Sequence, residues 1–201
     1  MMEHLPEIAI AAALAWASGL RLYLTLFLVG LAGYLGWIAL PEHLQLLSSP
    51  FVLWASGFMT GVEFFADKIP WVDSVWDAVN TFIRIPGGAL LAAGMLGDSG
   101  AGAALAAAII GGSITAGTHL AKAGARAVVN TSPEPFSNFV KSSAEDFLVP
   151  AGLWTAFVAP VVFLIALVLF LGLVAWMLPK VWRGVRRVVA FGRTRRVPDR
   201  T

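Results

Sequence analysis

From residue 8 to residue 40 the chain carries a single charge, Arg21. A run this long and this apolar has no polar face to offer water, so it cannot lie on the surface of a soluble domain. Four more apolar segments follow, at 51–66 (with Glu63 inside), 85–97, 101–118 and 147–178. Only 13% of the residues are charged and 58% are hydrophobic, where a soluble domain has about a quarter charged. These figures exclude a disordered chain and a basic nucleic-acid module, and an ordinary soluble enzyme fits them poorly. The predicted class is an all-α, polytopic transmembrane helix bundle of about five crossings.

The segments differ in kind. The first exceeds one span, so it either tilts or breaks near Ser18-Gly19 and restarts, which would give six crossings; Pro41-Glu42-His43 ends it. Segment 85–97 is too short to cross alone. Segment 101–118 is rich in alanine and glycine, which let helix backbones approach, and is expected inside the bundle. The last segment carries Pro150 and Pro160. Residues 1–178 form the expected transmembrane domain and residues 179–201 a basic tail. The tail holds eight basic residues and one acid, against a net −5 for the rest of the chain. A basic cluster after an apolar segment marks a cytoplasmic flank, and it could also bind anionic lipids. Five crossings then put the N-terminus outside, the tail inside and the connections 67–72 and 129–137 outside; Lys122, Arg126 and Lys141 run against that placement. The absence of cysteine removes disulfides and thiolate chemistry.

The sequence also matches itself. At an offset of 65, Pro70 aligns with Pro135, Trp71 with Phe136, Asp73 with Asn138, Val75 with Val140 and Phe82 with Phe147. Pro86-Gly87-Gly88 then answers Pro150-Ala151-Gly152, and upstream Gly57, Thr60 and Ala66 answer Gly112, Thr115 and Ala121. Two helical hairpins, about 51–97 and 101–178, are expected, each with a helix broken by proline. Two crossings per repeat relate them by an axis along the membrane normal.

Asp73, Asp77, Asn80 and Arg84 are spaced to share one helix face. Asn138, Ser142 and Glu145 form the matching stripe of the second repeat. Two settings suit such stripes: an interfacial helix bathed in headgroups, or a polar site enclosed between the repeats. Asp73 and Asp77, one turn apart, repel unless a cation sits between them. The candidate substrate- or ion-binding set is therefore Asp73, Asp77, Asn80, Arg84, Asn138, Glu145 and Asp146. A second set, Arg21, Glu63, Asp67, Lys122 and Arg126, is expected to pair inside the bundle, with Asp67 on Lys122 and Glu63 on Arg126 or Arg21. The other reading of Lys122 and Arg126 is a helix end snorkelling to the surface. His119 stands without a second histidine or cysteine near it, so no metal and no cofactor is expected, and a proton-relay role suits it better. No nucleophile elbow, phosphate loop or zinc motif occurs.

Residues 63–77, from Glu63 through Trp71 to Asp77, resemble a bacterial membrane family catalogued as a domain of unknown function, number 4126. Residues 131–138, Ser143-Ala144-Glu145-Asp146 and Ser18-Gly19-Leu20-Arg21 are similar to its other signatures, and the resemblance covers about residues 8–178. It implies a polytopic membrane protein and brings no activity; the expected location is the bacterial inner membrane, with the C-terminus cytoplasmic. Ile69-Pro70-Trp71 and Pro86-Gly87-Gly88 also resemble the re-entrant elements of the DedA lipid-transporter family, which implies a lipid-carrier alternative. The expected function is a small transporter or channel-like protein with a polar site between two repeats. The alternatives are a non-catalytic membrane scaffold and, third, a lipid-directed enzyme using Glu145 and Asp146. The expected partners are the lipid bilayer and a second copy of the chain, with no nucleic acid.

Overall fold

The computed structural model describes residues 4–69, 72–129 and 135–194, without the side chains of 127–129, 135–138, 181–182 and 184–194. Among these residues there are six α-helices, two short 3₁₀ segments and no strand. The helices are α1 (Leu5–Tyr34), α2 (Pro50–Ala66), α3 (Val72–Met95), α4 (Ala101–Val129), α5 (Pro135–Val158) and α6 (Pro160–Thr194). The 3₁₀ segments are Glu42–Ser48 and Gly97–Ser99. Gly36 and Gly100 take the left-handed φ values of 71° and 105° that turn the chain at the end of α1 and the start of α4.

The bundle is inside-out by the standards of a soluble protein. Its exterior is a coat of Phe51, Trp54, Phe58, Phe82, Leu90, Ile109, Phe147, Trp154 and Leu169, all exposed, while most of its charged side chains ahead of the tail are buried. That distribution is stable where the surroundings are hydrocarbon. By total length and apolar composition alone three helices could cross a membrane, Leu5–Tyr34, Ala101–Arg126 and Pro160–Lys180, and Pro50–Ala66 is a shorter apolar helix. Serine and threonine hydroxyls inside the helices donate back to the carbonyl one turn earlier, as Ser18 does to Leu14, Ser56 to Val52 and Thr118 to Ile114, so they need no water.

The order of contacts gives each helix a direction. Thr115 donates to the Ala15 carbonyl at 2.8 Å and Lys122 to the Leu20 carbonyl at 2.9 Å, so α4 runs alongside the first half of α1. Gly111 lies against both Ala92 and Ala15, and Arg84 meets His119, so α3 runs the opposite way. Arg21 leaves the helical region, with φ −144° and ψ 84°. Beyond it Leu22 sits on Gly87, Gly30 sits on Leu47, and neighbouring Leu44 sits on Gly94. The first half of α1 therefore meets α3 in descending order and the second half in ascending order. Both hold only if α1 bends back at Arg21. The break falls two residues beyond the Ser18-Gly19 pair named from sequence.

α2 climbs toward this bend, with Gly57 on Phe27 and then Asp67 on Arg21. α5 descends from it, with Ser142 on Arg21 and Gly152 on Trp16. Phe163 stacks edge-on to Trp16 at 6.0 Å and Leu171 lies on Gly117, so α6 rises again beside α4.

Three sequence expectations need correcting. α3 and α5 are not broken by proline: both run through Pro86 and Pro150 as continuous helices. The break in the last apolar segment falls at Ala159-Pro160, where α5 ends and α6 begins. As a result the end of α6 lies at the same end of the bundle as the α2–α3 and α4–α5 connections, not opposite them. Finally, the helix at the centre is α1, with 61% of its most apolar window buried, and not the alanine-rich α4, with 28%. α1 presents small residues (Ala9, Ala11, Ala13, Ala15, Ala17) on several sides and can be surrounded. α4 keeps Leu105, Ile109, Ile110 and Leu120 on an outer face.

Candidate functional site

The bend of α1, the end of α2, the start of α3, the end of α4 and the start of α5 all meet at one end of the bundle. Each brings charge. Glu63 and Asp67 come from α2 and its cap, Asp73, Asp77 and Arg84 from α3, Lys122 and Arg126 from α4, and Lys141, Glu145 and Asp146 from α5. Arg21 sits at the bend, and Lys68 follows α2.

Their pairings form one network. Arg84 bonds Glu63 at 2.5 Å and Asp77 at 2.8 Å. Arg126 lies between the two aspartates of the α3 stripe, 3.4 Å from Asp73 and 2.7 Å from Asp77. That is the intervening cation which two like charges one turn apart require. Lys122 is held by Asp67 at 2.8 Å, Glu145 at 3.1 Å and the Leu20 carbonyl at 2.9 Å, with Asp77 at 3.7 Å. It thus fills an oxygen-lined position beside the carbonyl freed where α1 breaks. Arg21 reaches Asp146 at 2.9 Å, Asp67 at 3.3 Å and the Ser142 hydroxyl at 2.9 Å. Lys68 joins Asp146 at 3.1 Å and lies over the Phe64 ring, and Lys141 joins Glu145 at 2.6 Å.

Six carboxylates (Glu63, Asp67, Asp73, Asp77, Glu145, Asp146) thus meet six cations (Arg21, Lys68, Arg84, Lys122, Arg126, Lys141). Those six are every lysine and arginine ahead of the tail. The layer is formally neutral, the condition for so many charges to be tolerated out of water.

The structure brings most of the sequence-named residues together. Asp73, Asp77, Asn80 and Arg84 are buried against α1 and α4, so the α3 stripe faces protein and not headgroups. Asn80 accepts from the Tyr23 hydroxyl at 3.0 Å. Glu145 and Asp146, adjacent in sequence, part to opposite sides: one turns to Lys122, the other to Arg21. Asn138 lies in α5, and its side chain is outside the described residues, as is Trp71. Asp67 pairs with Lys122 as the sequence suggested. Glu63 does not pair with Arg126 or Arg21; its partner is Arg84, because both of those arginines are drawn to Asp67. Lys122 and Arg126 are 2% and 3% exposed and do not snorkel. Sequence reading missed Lys68, Lys141, Ser142 as the Arg21 partner, and Thr81. Thr81 and His119 had a signal, since Thr81 falls beside the stripe and His119 lies one turn before Lys122.

Beside the layer, between α3 and α4, lies a cleft of about 390 Å³ lined by Ser74, Asp77, Ala78, Thr81, His119, Ala123 and Arg126. Asp77 and Arg126 are its charged lining residues, and the others are small or polar. Thr81 Oγ1 and His119 Nε2 are 2.7 Å apart, and Arg84 reaches His119 Nδ1 at 3.4 Å. A second, apolar groove of about 670 Å³ runs between the segment Glu42–Ser48 and α3. No group of three or more histidine, cysteine or acidic side chains among the described residues could hold a metal ion.

No curated protein and no solved structure matches the chain. The family model described as "Domain of unknown function (DUF4126)" matches residues 8–180, the whole bundle and the start of the tail. With most of its length covered by that match, the chain belongs to the DUF4126 family.

Proposed function

We propose that the protein is a small membrane transporter or channel-like protein whose polar site is the neutral charge layer, entered through the α3–α4 cleft. One observation carries this reading: a solute-sized cleft reaches Asp77 and Arg126, two members of a layer of twelve charged side chains that an apolar coat surrounds. Such intramembrane charge is rare, and in membrane proteins it marks solute and ion paths. In this reading α2–α3 and α4–α5 are the two repeats, since both hairpins turn at the charged end. α1 is a re-entrant hairpin, because neither 5–20 nor 22–34 has the ~20 residues needed to cross. The tail after residue 179 is cytoplasmic, apposed to anionic lipid, and the charged end faces the cytoplasm with it. Lys122, Arg126 and Lys141 then obey the positive-inside bias instead of opposing it.

The test is flux in liposomes holding the purified protein, with the solute first found by metabolite screening. Asp73→Asn/Asp77→Asn should abolish flux while circular dichroism and size exclusion stay unchanged. Normal flux in this variant would sink the proposal. The complete matching of six acids by six bases favours a second reading, a rigid scaffold whose layer only holds the helices in place. Deleting residues 180–201 separates the two: a scaffold loses its function with its tail, and a carrier keeps its flux.

A further inference from the structure

The charge layer balances without His119, which makes that residue's proton the one variable in it. Thr81 gives its hydroxyl hydrogen to the Asp77 carbonyl at 2.8 Å, so Oγ1 is left to accept from His119 Nε2–H. Arginine only donates, so His119 Nδ1 must accept from Arg84 Nη1. The two contacts together define a neutral imidazole with its hydrogen on Nε2. The same Nη1 also donates to Asp77 Oδ1 at 2.8 Å. A proton arriving on Nδ1 would therefore turn an acceptor into a second donor beside Arg84. The resulting imidazolium can take over Asp77 Oδ1 while Arg84 keeps Glu63.

That arrival leaves one positive charge in excess. The groups around His119 are Asp77 and Arg84 from α3, Lys122 and Arg126 from α4, and Glu63 from α2 behind Arg84. Every carboxylate among them is already matched. An uncompensated charge in such a setting is costly, so an anion beside it raises the affinity for the proton. The cleft supplies the place. His119 and Arg126, 4% and 3% exposed, line it together with Ser74 and Thr81. At ~30 Å³ per water-sized group, its volume of about 390 Å³ takes a solute of roughly a dozen heavy atoms at most.

We propose that the cleft binds one proton, on His119 Nδ1, together with one small monovalent anion held against Arg126, the cation that lines the cleft. The pair is neutral, as the empty layer is, and can cross the bilayer without moving net charge. This rests on the transporter reading and names its cargo as a proton with a monoanion.

The experiment needs no flux. In a His4→Gln/His43→Gln background His119 is the sole imidazole, and its ¹⁵N resonances report tautomer and protonation from pH 5 to 9. Sodium formate at saturating concentration and a salt of equal ionic strength whose monoanion is about twice the cleft's capacity, sodium lactobionate, are compared. Because coupling is reciprocal, tenfold tighter formate binding to the protonated form appears as a titration midpoint about one pH unit higher in formate. Filling the cleft by Ala123→Leu should erase that difference while His119 still titrates. An imidazole that stays neutral throughout, midpoints equal in the two salts, or a formate shift surviving Ala123→Leu would each overturn the proposal. Any of these can occur with Asp77-dependent flux intact, so the broader reading fails or stands separately.

Discussion

The same three helices, α1, α3 and α4, are held together in two different ways at the two ends of the bundle. Toward the end away from the charges, contact is made by the absence of side chains. Gly88 lies on Thr115, Gly111 on Ala92 and Ala15, and Ala11, Ala13 and Ala107 close the same cluster. Small residues bring backbones within dispersion range, and the fit is steric and fixed. At the other end contact is made by long side chains that carry charge. Several of them, Arg84, Lys122 and Arg126 among them, serve more than one partner. A steric seam has one good arrangement, whereas a shared ionic network has several of similar energy once a proton or an ion changes the count. The rigid half gives the bundle its shape, and the ionic half is where it can change.

The largest expected effect comes from unbalancing the ionic half. Lys122→Met leaves Asp67 and Glu145 facing each other and should destabilise the protein by about 3–5 kcal/mol, read by chemical unfolding in detergent. Adding Asp67→Asn restores the formal balance and should recover at least half of that loss; no recovery would mean that local hydrogen bonds, not net charge, hold the layer. Next comes the steric half. Gly88→Leu drives a side chain into Thr115 and should cost about 1–3 kcal/mol, with no rescue from any compensating charge. A thermal midpoint equal to the parent's would show that the seam is loose. The smallest effect belongs to the coat. Leu169→Ala on exposed α6 should change stability by no more than about 0.5 kcal/mol, and a larger loss in the purified protein would reveal that another subunit covers that face.

Much of this was legible in the sequence. The helical class follows from apolar length alone, and the α3 stripe follows from a period that puts Asp73, Asp77, Asn80 and Arg84 on one face. Partners were legible only where the two halves of the sequence align, as for Asp67 and Lys122. Glu63 was misassigned because Arg21 and Arg126 both turn to Asp67, a choice made by how distant helices meet at the bend in α1, and the Ser18-Gly19 pair marks only the approximate place of that bend. Arg21 is neither a proline nor a glycine; its backbone departs from the helix where Ser142 and Asp146 of a distant helix hold its side chain. Proline misled in the opposite direction. Pro86 and Pro150 each remove one helix bond, and packing on both sides of the residue keeps the helix intact. At Ala159-Pro160 the chain reverses between arms that pack against α1 and α4.

The bend at Arg21 also constrains the order of assembly. Asp67 follows within the next hairpin, but its carboxylate is shared with Lys122 and Arg126, and the closer partners Ser142 and Asp146 come only with α5, Ser142 121 residues further along the chain, so a ribosome delivers the guanidinium long before its full set of partners. Until α5 emerges, the tip of the first hairpin has every reason to stay in water. The segment made first should be the last to be seated, and α1 should become protected from aqueous thiol reagents, through a cysteine placed at Leu20 or Leu22, only in nascent chains longer than the end of α5.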